Sequence, residues 1–186
     1  MKTVQCAGVA VWVCLSAAAS SFAQFRYVDD DSADPQSPYD NWSHAATNIP
    51  EAVNVATSGD TVVVAPGVYK IANPPLYIPN GKKIKLLSTN REAIIDAQGL
   101  GPAVRIGDSN AVIEGFTIEN GYSSMIYGGG VQLMERASVQ DCLIRNNRAI
   151  YGGGVGFLAP GGELRNCTIT GNTADDRGGG IYMGQS

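Results

Sequence analysis

From Thr61 onward the chain alternates between short apolar runs and small clusters of Gly, Asn and Pro. The runs are TVVVA (61–65), LYI (76–78), KIKLL (in the 82–87 region), AIID (93–96), AVRI (103–106) and VIEGFTI (112–118). They continue as GVQLM (130–134), VQDCLI (139–144), GVGFL (154–158), LRNCTI (164–169) and GIYM (180–183). Runs of this length bounded by turn formers predict strands. No stretch of helical periodicity separates them, which excludes a doubly wound α/β sheet and leaves an all-β chain.

The pattern also repeats. YGGGVQLM (127–134), YGGGVGFL (151–158) and RGGGIYM (177–183) set Gly128, Gly152 and Gly178 24 and then 26 residues apart. Three further columns recur at spacings of 26 and 25: Ile113, Val139 and Leu164; Phe116, Cys142 and Cys167; Ile118, Ile144 and Ile169. A period of this size marks a repeat architecture. A unit of two short apolar strands cannot bury its face alone. Each coil is therefore expected to stack on the last, strand pairing in parallel with its equivalent ~4.8 Å away.

Glycine loses ~0.5–1 kcal/mol to Ala in a strand, so three in a row before one need a reason. Coil corners supply it, because they require backbone conformations that only Gly and Asn adopt cheaply. Gly128, Gly129, Gly130, Gly152, Gly153, Gly154, Gly178, Gly179 and Gly180 are all expected at such corners, Gly153 with positive φ. Gln132 is expected on an exposed strand position. Asn147 and Asn172, at equivalent corners, are expected to stack as an amide ladder.

Ahead of the strands the pattern differs. FRYVDDDSADPQSPYDNW (25–42) reads as an edge segment and loop. In TNIPEAVNVATSGD, Asn48 with Glu51 makes a capping box, Pro50 suits the first turn, and Ile49, Val53 and Ala56 share one face. Gly59 suits the stop. This is the one helix predicted, short and placed to cap the stack. Residues 1–23 carry Lys2, an apolar stretch from Ala7 to about Ala19 and the small-x-small site Ser21-Phe22-Ala23. They read as a secretory signal, giving three segments: 1–23 signal, 24–60 edge segment and capping helix, 61–186 coils.

Export changes how the cysteines and charges are read. Cys6 and Cys14 leave with the signal, and Cys142 and Cys167 remain. Stacked in register, those two hold their Cβ atoms near the strand spacing, beyond the ~3.5–4.5 Å of a disulfide, so two stacked buried thiols are expected. The whole chain has 13 basic and 17 acidic residues, net charge −4. No Lys or Arg occurs between Asp29 and Asp60, and nothing forms a basic stripe for nucleic acid. No apolar run after the signal is long enough to span a membrane.

The ~25-residue unit, the opening stretch GDTVVVAPGVY (59–69) and GFTIENG (115–121) resemble right-handed parallel β-helix repeat proteins of the pectin-lyase-like superfamily. The resemblance covers roughly Tyr27 to Ser186 and implies a right-handed parallel β-helix of about five coils. Triple Gly followed by Val or Ile also resembles the repeats of polymorphic outer-membrane proteins. There the chain departs: the Phe slot of their Phe-x-x-Asn motif holds Cys142 and Cys167, and Asn follows four or five residues later. The last coil ends at Ser186 with no closing element, so further coils of a longer chain are expected.

Enzymes of the pectin-lyase-like superfamily abstract a proton beside a uronate using Arg or Lys with Ca²⁺, or hydrolyse with paired Asp. Asp175-Asp176-Arg177 is the nearest such cluster, yet NTADDRG matches no complete hydrolase signature and reads as a solvated corner. Asp29, Asp30, Asp31, Asp34 and Asp40 are candidate Ca²⁺ oxygens whose spacing does not fit an EF-hand. Asp96 and Arg105 are expected to face outward without a partner set. His44, the sole His, has no companion for zinc. Asn41-Trp42-Ser43 and Asn166-Cys167-Thr168 are glycosylation sequons, the second inside an expected strand.

Tyr122, Tyr127, Tyr151 and Tyr182 fall on what is expected to be one long flat face, where aromatic rings can stack on sugars. The leading expectation is an exported, non-catalytic surface scaffold, secreted or held at the cell surface, for adhesion or contact with a polysaccharide or cell-surface component. It needs no cofactor, with Ca²⁺ as the one candidate ion. The alternative is a polysaccharide lyase or glycoside hydrolase whose catalytic coils lie beyond residue 186; fold alone cannot choose between them.

Overall fold

The computed structural model describes residues 22–107, 110–134 and 136–184. The expected signal at 1–23 lies outside the described residues except for Phe22 and Ala23. The chain winds as a parallel solenoid of about five turns, with about 26 residues per coil. A first sheet stacks Phe25–Val28, Thr61–Val64, Lys85–Ser88, Val112–Glu114, Ser138–Gln140 and Glu163–Arg165. A second stacks Gly67–Lys70, Ala93–Asp96, Thr117–Glu119, Leu143–Arg145 and Thr168–Thr170. A third stacks Leu76–Ile78, Val104–Ile106, Val131–Leu133, Val155–Phe157 and Ile181–Met183. The last three coils add a fourth sheet: Tyr122–Tyr127, Arg148–Tyr151 and Thr173–Arg177.

Every pairing is parallel and joins residues one coil apart. Val139 pairs Ile113 and Leu164, and Ile144 pairs Ile118 and Ile169, which are the columns expected from the repeat. Strands of three residues point the middle side chain one way and the outer two the other. Ile118 and Ile144 are therefore fully buried while their neighbours face out. The apolar runs VIEGFTI, VQDCLI and LRNCTI each prove to be two strands, bent where Gly115, Asp141 and Asn166 take φ of 83°, 53° and 49°. A second corner uses Asn120, Asn146 and Gly171, and a third uses Gly128, Gly152 and Gly178, all at positive φ. Single left-handed residues turn the chain with little disruption of the ladder.

The triple glycines divide their duties differently from the expectation. Positive φ falls on the first glycine, Gly152 at 64°, and not on Gly153. Gly153 is small because a Cβ there would overlap the Thr173 carbonyl oxygen of the next coil. Gln132 is also corrected: only 8% exposed, it donates from Nε2 to the Tyr127 carbonyl at 2.8 Å. The third sheet's outer face is not flat there, because the Gly128 corner folds onto the Gln132 side chain.

The amide ladder is present. Asn147, 1% exposed, accepts from the Gly121 N–H at 2.7 Å and donates to the Ile118 carbonyl at 3.0 Å and to Asn172 Oδ1 at 3.0 Å. Asn172 passes the pattern on, donating to the Ile144 carbonyl at 2.9 Å.

Helix α1 (Ile49–Val55) covers the first coil, its Ile49, Ala52 and Val53 buried. Asn48 caps it, accepting from Glu51 N at 3.0 Å, and the extended Ala56 is its C-cap, three residues before Gly59. The Glu51 carboxylate does not return to Asn48 but accepts from the Tyr39 hydroxyl at 3.3 Å. Where the first strand enters, the Asp60 side chain is fully buried. Its Oδ2 accepts from Thr57 N at 2.8 Å, Thr57 Oγ1 at 3.2 Å and Arg26 Nη2 at 3.3 Å. Its Oδ1 accepts from Gln24 N at 2.9 Å. Burial pushes this carboxyl up, but the Thr57 and Gln24 hydrogen bonds and Arg26 outweigh it and hold it below the usual range.

Candidate functional site

The second sheet ends, coil by coil, on one outward ladder: Lys70 beside Asp96, Asp96 beside Glu119, Glu119 beside Arg145, Arg145 beside Thr170. The rung from Arg145 to Glu119 is an ion pair of 2.8 Å. Immediately after it the left-handed corner opens an outer cleft of about 660 Å³. Its walls are Lys70, Asp96, Gln98, Gly99, Asn120, Gly121, Tyr122, Asn146 and Arg148. The corner geometry selects these residues, since Asn tolerates left-handed φ and leaves an amide facing solvent. Asp96 is tied down by Gln98 N and Asn120 Nδ2, both at 2.9 Å. The cleft thus presents amides, the cations Lys70 and Arg148, and an aromatic ring across several coils.

The four expected tyrosines do not share one face. Tyr122, 41% exposed, stands at the cleft, and among the described residues no other ring stacks on it. The other three pack together beside the triple-Gly corner. Tyr127 and Tyr182 lie 5.3 Å apart, Tyr151 and Tyr182 4.9 Å, and Tyr127 and Tyr151 5.8 Å between ring centroids. Gly156 makes this possible, because a Cβ there would press on Tyr127. These rings are half-buried against one another, so their burial serves coil packing.

Asp175 and Asp176 in the last described coil point to different partners. Asp175 takes Arg148 at 2.7 Å, linking adjacent coils beside the cleft. Asp176 sits against Arg177 at 3.5 Å, and its negative charge near the Tyr151 hydroxyl raises that phenol. The N-terminal acids are also used locally. Asp29 Oδ1 accepts from Asp31 N at 3.1 Å, Asp34 accepts from Gln36 at 2.7 Å and lies 3.8 Å from His44, and Asp40 accepts from Asn41 at 2.8 Å. Asp30 packs over Gly67. Among the described residues no three His, Cys, Asp or Glu side chains converge to hold a metal ion.

Arg105 is exposed on the third sheet, in register with Tyr77, and so lies on a different face from Asp96. Asn166 is not inside a strand: it turns a corner, exposed, with its amide on Asp141. Arg91 closes the other side of that corner, 3.2 Å from Asp141. Cys142 is buried and Cys167 half-buried, both unbonded, stacked at one corner position below Phe116. Cys142 Sγ donates to the Gln140 carbonyl at 3.1 Å and Cys167 Sγ to the Arg165 carbonyl at 3.3 Å, and the neighbouring thiol together with burial pushes Cys142 up. A more apolar groove of about 480 Å³ runs between α1 and Tyr77, bordered by Pro50, Pro75 and Pro79. No helix among the described residues is long and apolar enough to cross a membrane.

Sequence reasoning missed the cleft. Its lining residues lie in polar corners about 24–26 residues apart, and their shared position follows only once the coil register is known. The column Lys70, Asp96, Glu119, Arg145 was the available signal. Among curated proteins and among solved structures, nothing matches this chain. The family described as right handed beta helix region matches residues 68–186, in keeping with the coil register and the corners seen here. The chain belongs to the right-handed β-helix family.

Proposed function

We propose that the protein is an exported, non-catalytic β-helix whose outer cleft contacts a polysaccharide. The observation that carries this reading is the exposed Tyr122 ring set among Asn120, Asn146, Gln98 and Lys70. A sugar presents an apolar face to an aromatic ring and hydroxyls to amides, and side chains held on a ladder of strands offer both with little ordering cost. The carboxylate in the cleft, Asp96, is engaged by two protein donors, which favours holding over acid–base chemistry. The test is a binding isotherm on neutral and anionic polysaccharides. Tyr122→Ala is expected to weaken binding by about 1–2 kcal/mol, roughly tenfold, whereas Tyr77→Ala on the third sheet leaves it unchanged. Equal affinity of the Tyr122 variant and the parent overturns the reading. Release of new sugar ends during the incubation replaces it with a lyase or hydrolase.

A further inference from the structure

Among the described residues, the first one clamped into the solenoid is Gln24. Its carbonyl accepts from Thr61 N at 2.8 Å, and its own N–H donates to Asp60 Oδ1 at 2.9 Å. The two described residues before it face solvent: Phe22 is 79% exposed and Ala23 is exposed. Among the described residues, hydrogen bonding to the coils thus begins at the residue that follows the small-x-small site ending at Ala23. The partner it meets is unusual for a surface strand, a carboxylate with no solvent exposure. Such a charge needs cationic partners. Arg26 supplies one, on Oδ2, while Gln24 N is the one described donor to Oδ1.

We propose that Asp60 is the receiving site for the amino terminus made when the leader is cut after Ala23. This rests on the export reading above. A leader-processing peptidase adds water across the Ala23–Gln24 bond: the oxygen goes to the Ala23 carbonyl carbon and the C–N bond breaks. The leader departs as a carboxylate and Gln24 keeps its nitrogen as an ammonium. That ammonium stands where the peptide N–H now stands, and Asp60 is then shared between it and the Arg26 guanidinium. Two consequences follow. An ammonium paired with Asp60 has no lone pair for attack on its own side-chain amide, and Arg26 Nη2 holds that amide oxygen at 2.9 Å. The folded chain therefore resists cyclisation of its terminal Gln. Processing also adds an ion pair at the capped end of the solenoid, so the mature chain is more stable than the unprocessed one.

The other charges near this site are already placed. Lys82 is held by the Val53 and Asn54 carbonyls at 2.6 and 3.2 Å, and Lys85 by Glu114 at 2.9 Å. The test compares two chains released from a fusion partner, one beginning at Gln24 and one at Ala23. In the Gln24 chain the α-amine is expected to titrate about one unit above its ordinary ~7.7–8.0, read by pH-dependent acylation. A group raised on folding stabilises fully below its unfolded pKa and loses that contribution as pH climbs through its folded one. The Gln24 chain should accordingly outlast the Ala23 chain in urea at pH 7, with the difference vanishing above about pH 9. Loss of ammonia from Gln24 should be about tenfold slower in the folded chain than in urea. Asp60→Asn should return the amine to its ordinary value; if that variant does not fold, the two-chain comparison stands alone. An amine at its ordinary value in the folded Gln24 chain, or equal stability of the two chains at pH 7, overturns the assignment of Asp60. Intact mass of the exported protein beginning anywhere but Gln24 overturns the processing step instead, and the fusion-released chains tell the two failures apart.

Discussion

Removing the Asn147 amide tests the corner ladder directly. The side chain is 1% exposed, so no water replaces what it gives up. Asn147→Ala orphans the Gly121 N–H, now 2.7 Å from Oδ1; a buried unsatisfied donor costs about 1–3 kcal/mol. It also deletes the bonds to the Ile118 carbonyl and to Asn172, worth about 1 kcal/mol each. The expected loss is about 3–5 kcal/mol, a large share of a typical ~5–15 kcal/mol. Asn172→Ala, at a half-buried site one coil further on, should cost about 1–2 kcal/mol. Arg165→Ala, which breaks an exposed pair with Glu163, should stay within about 0.5 kcal/mol. Urea unfolding followed by far-UV circular dichroism reads all three as midpoint shifts at constant slope. Amide exchange at Gly121 should accelerate in the Asn147 variant alone. A loss under about 1 kcal/mol for Asn147→Ala, with Gly121 still protected, would refute the ladder as a source of stability.

Gly152→Ala and Gly153→Ala should each cost at least about 3 kcal/mol, for left-handed strain plus overlap at the first and overlap alone at the second. Gly161→Ala, at φ 99° with its nearest atom 4.0 Å away, should cost only about 1–2 kcal/mol in the same urea melts. The half-buried Cys167 thiol should be alkylated well before the buried Cys142, whose thiol is pushed up beside it, as read by mass spectrometry of native protein at about pH 8; equal labelling would contradict the burial difference. Ile181 and Met183, 45% and 65% exposed on the last described strand of the third sheet, offer an edge for association. Ile181→Lys with Met183→Lys should lower the association state of residues 24–186 seen by light scattering, whereas a monomeric parent would remove that expectation.

The coils were legible because inward side chains repeat where outward ones need not. Ile113, Val139 and Leu164 report the first sheet from sequence alone, and their register is the one found. The fourth sheet escaped because YSSMIY and TADDR have no apolar alternation; their strands are defined by pairing to the neighbouring coil, as Ala149 does with Ser123 and Ala174. Gly153 and Gly152 look alike in a string of letters, and only the path of the chain decides which one bends and which one makes room. Gln132 alternates as an exposed residue should, yet the Tyr127 carbonyl and the Gly128 corner cover it. Of the candidate site, Tyr122 was named from sequence, but its companions Lys70, Gln98 and Asn146 were not, since a cleft made of corners has no local signature.

The parallel register has a mechanical meaning. All ladder hydrogen bonds lie along the solenoid axis, while the covalent backbone circles around it. Tension along the axis meets the hydrogen bonds in series, so the molecule peels one coil at a time at low force. Tension across the axis, applied along the strands, loads the bonds of a coil together in shear and meets far greater resistance. The stiffness of this chain is therefore directional, and the way it is tethered decides how much load it bears.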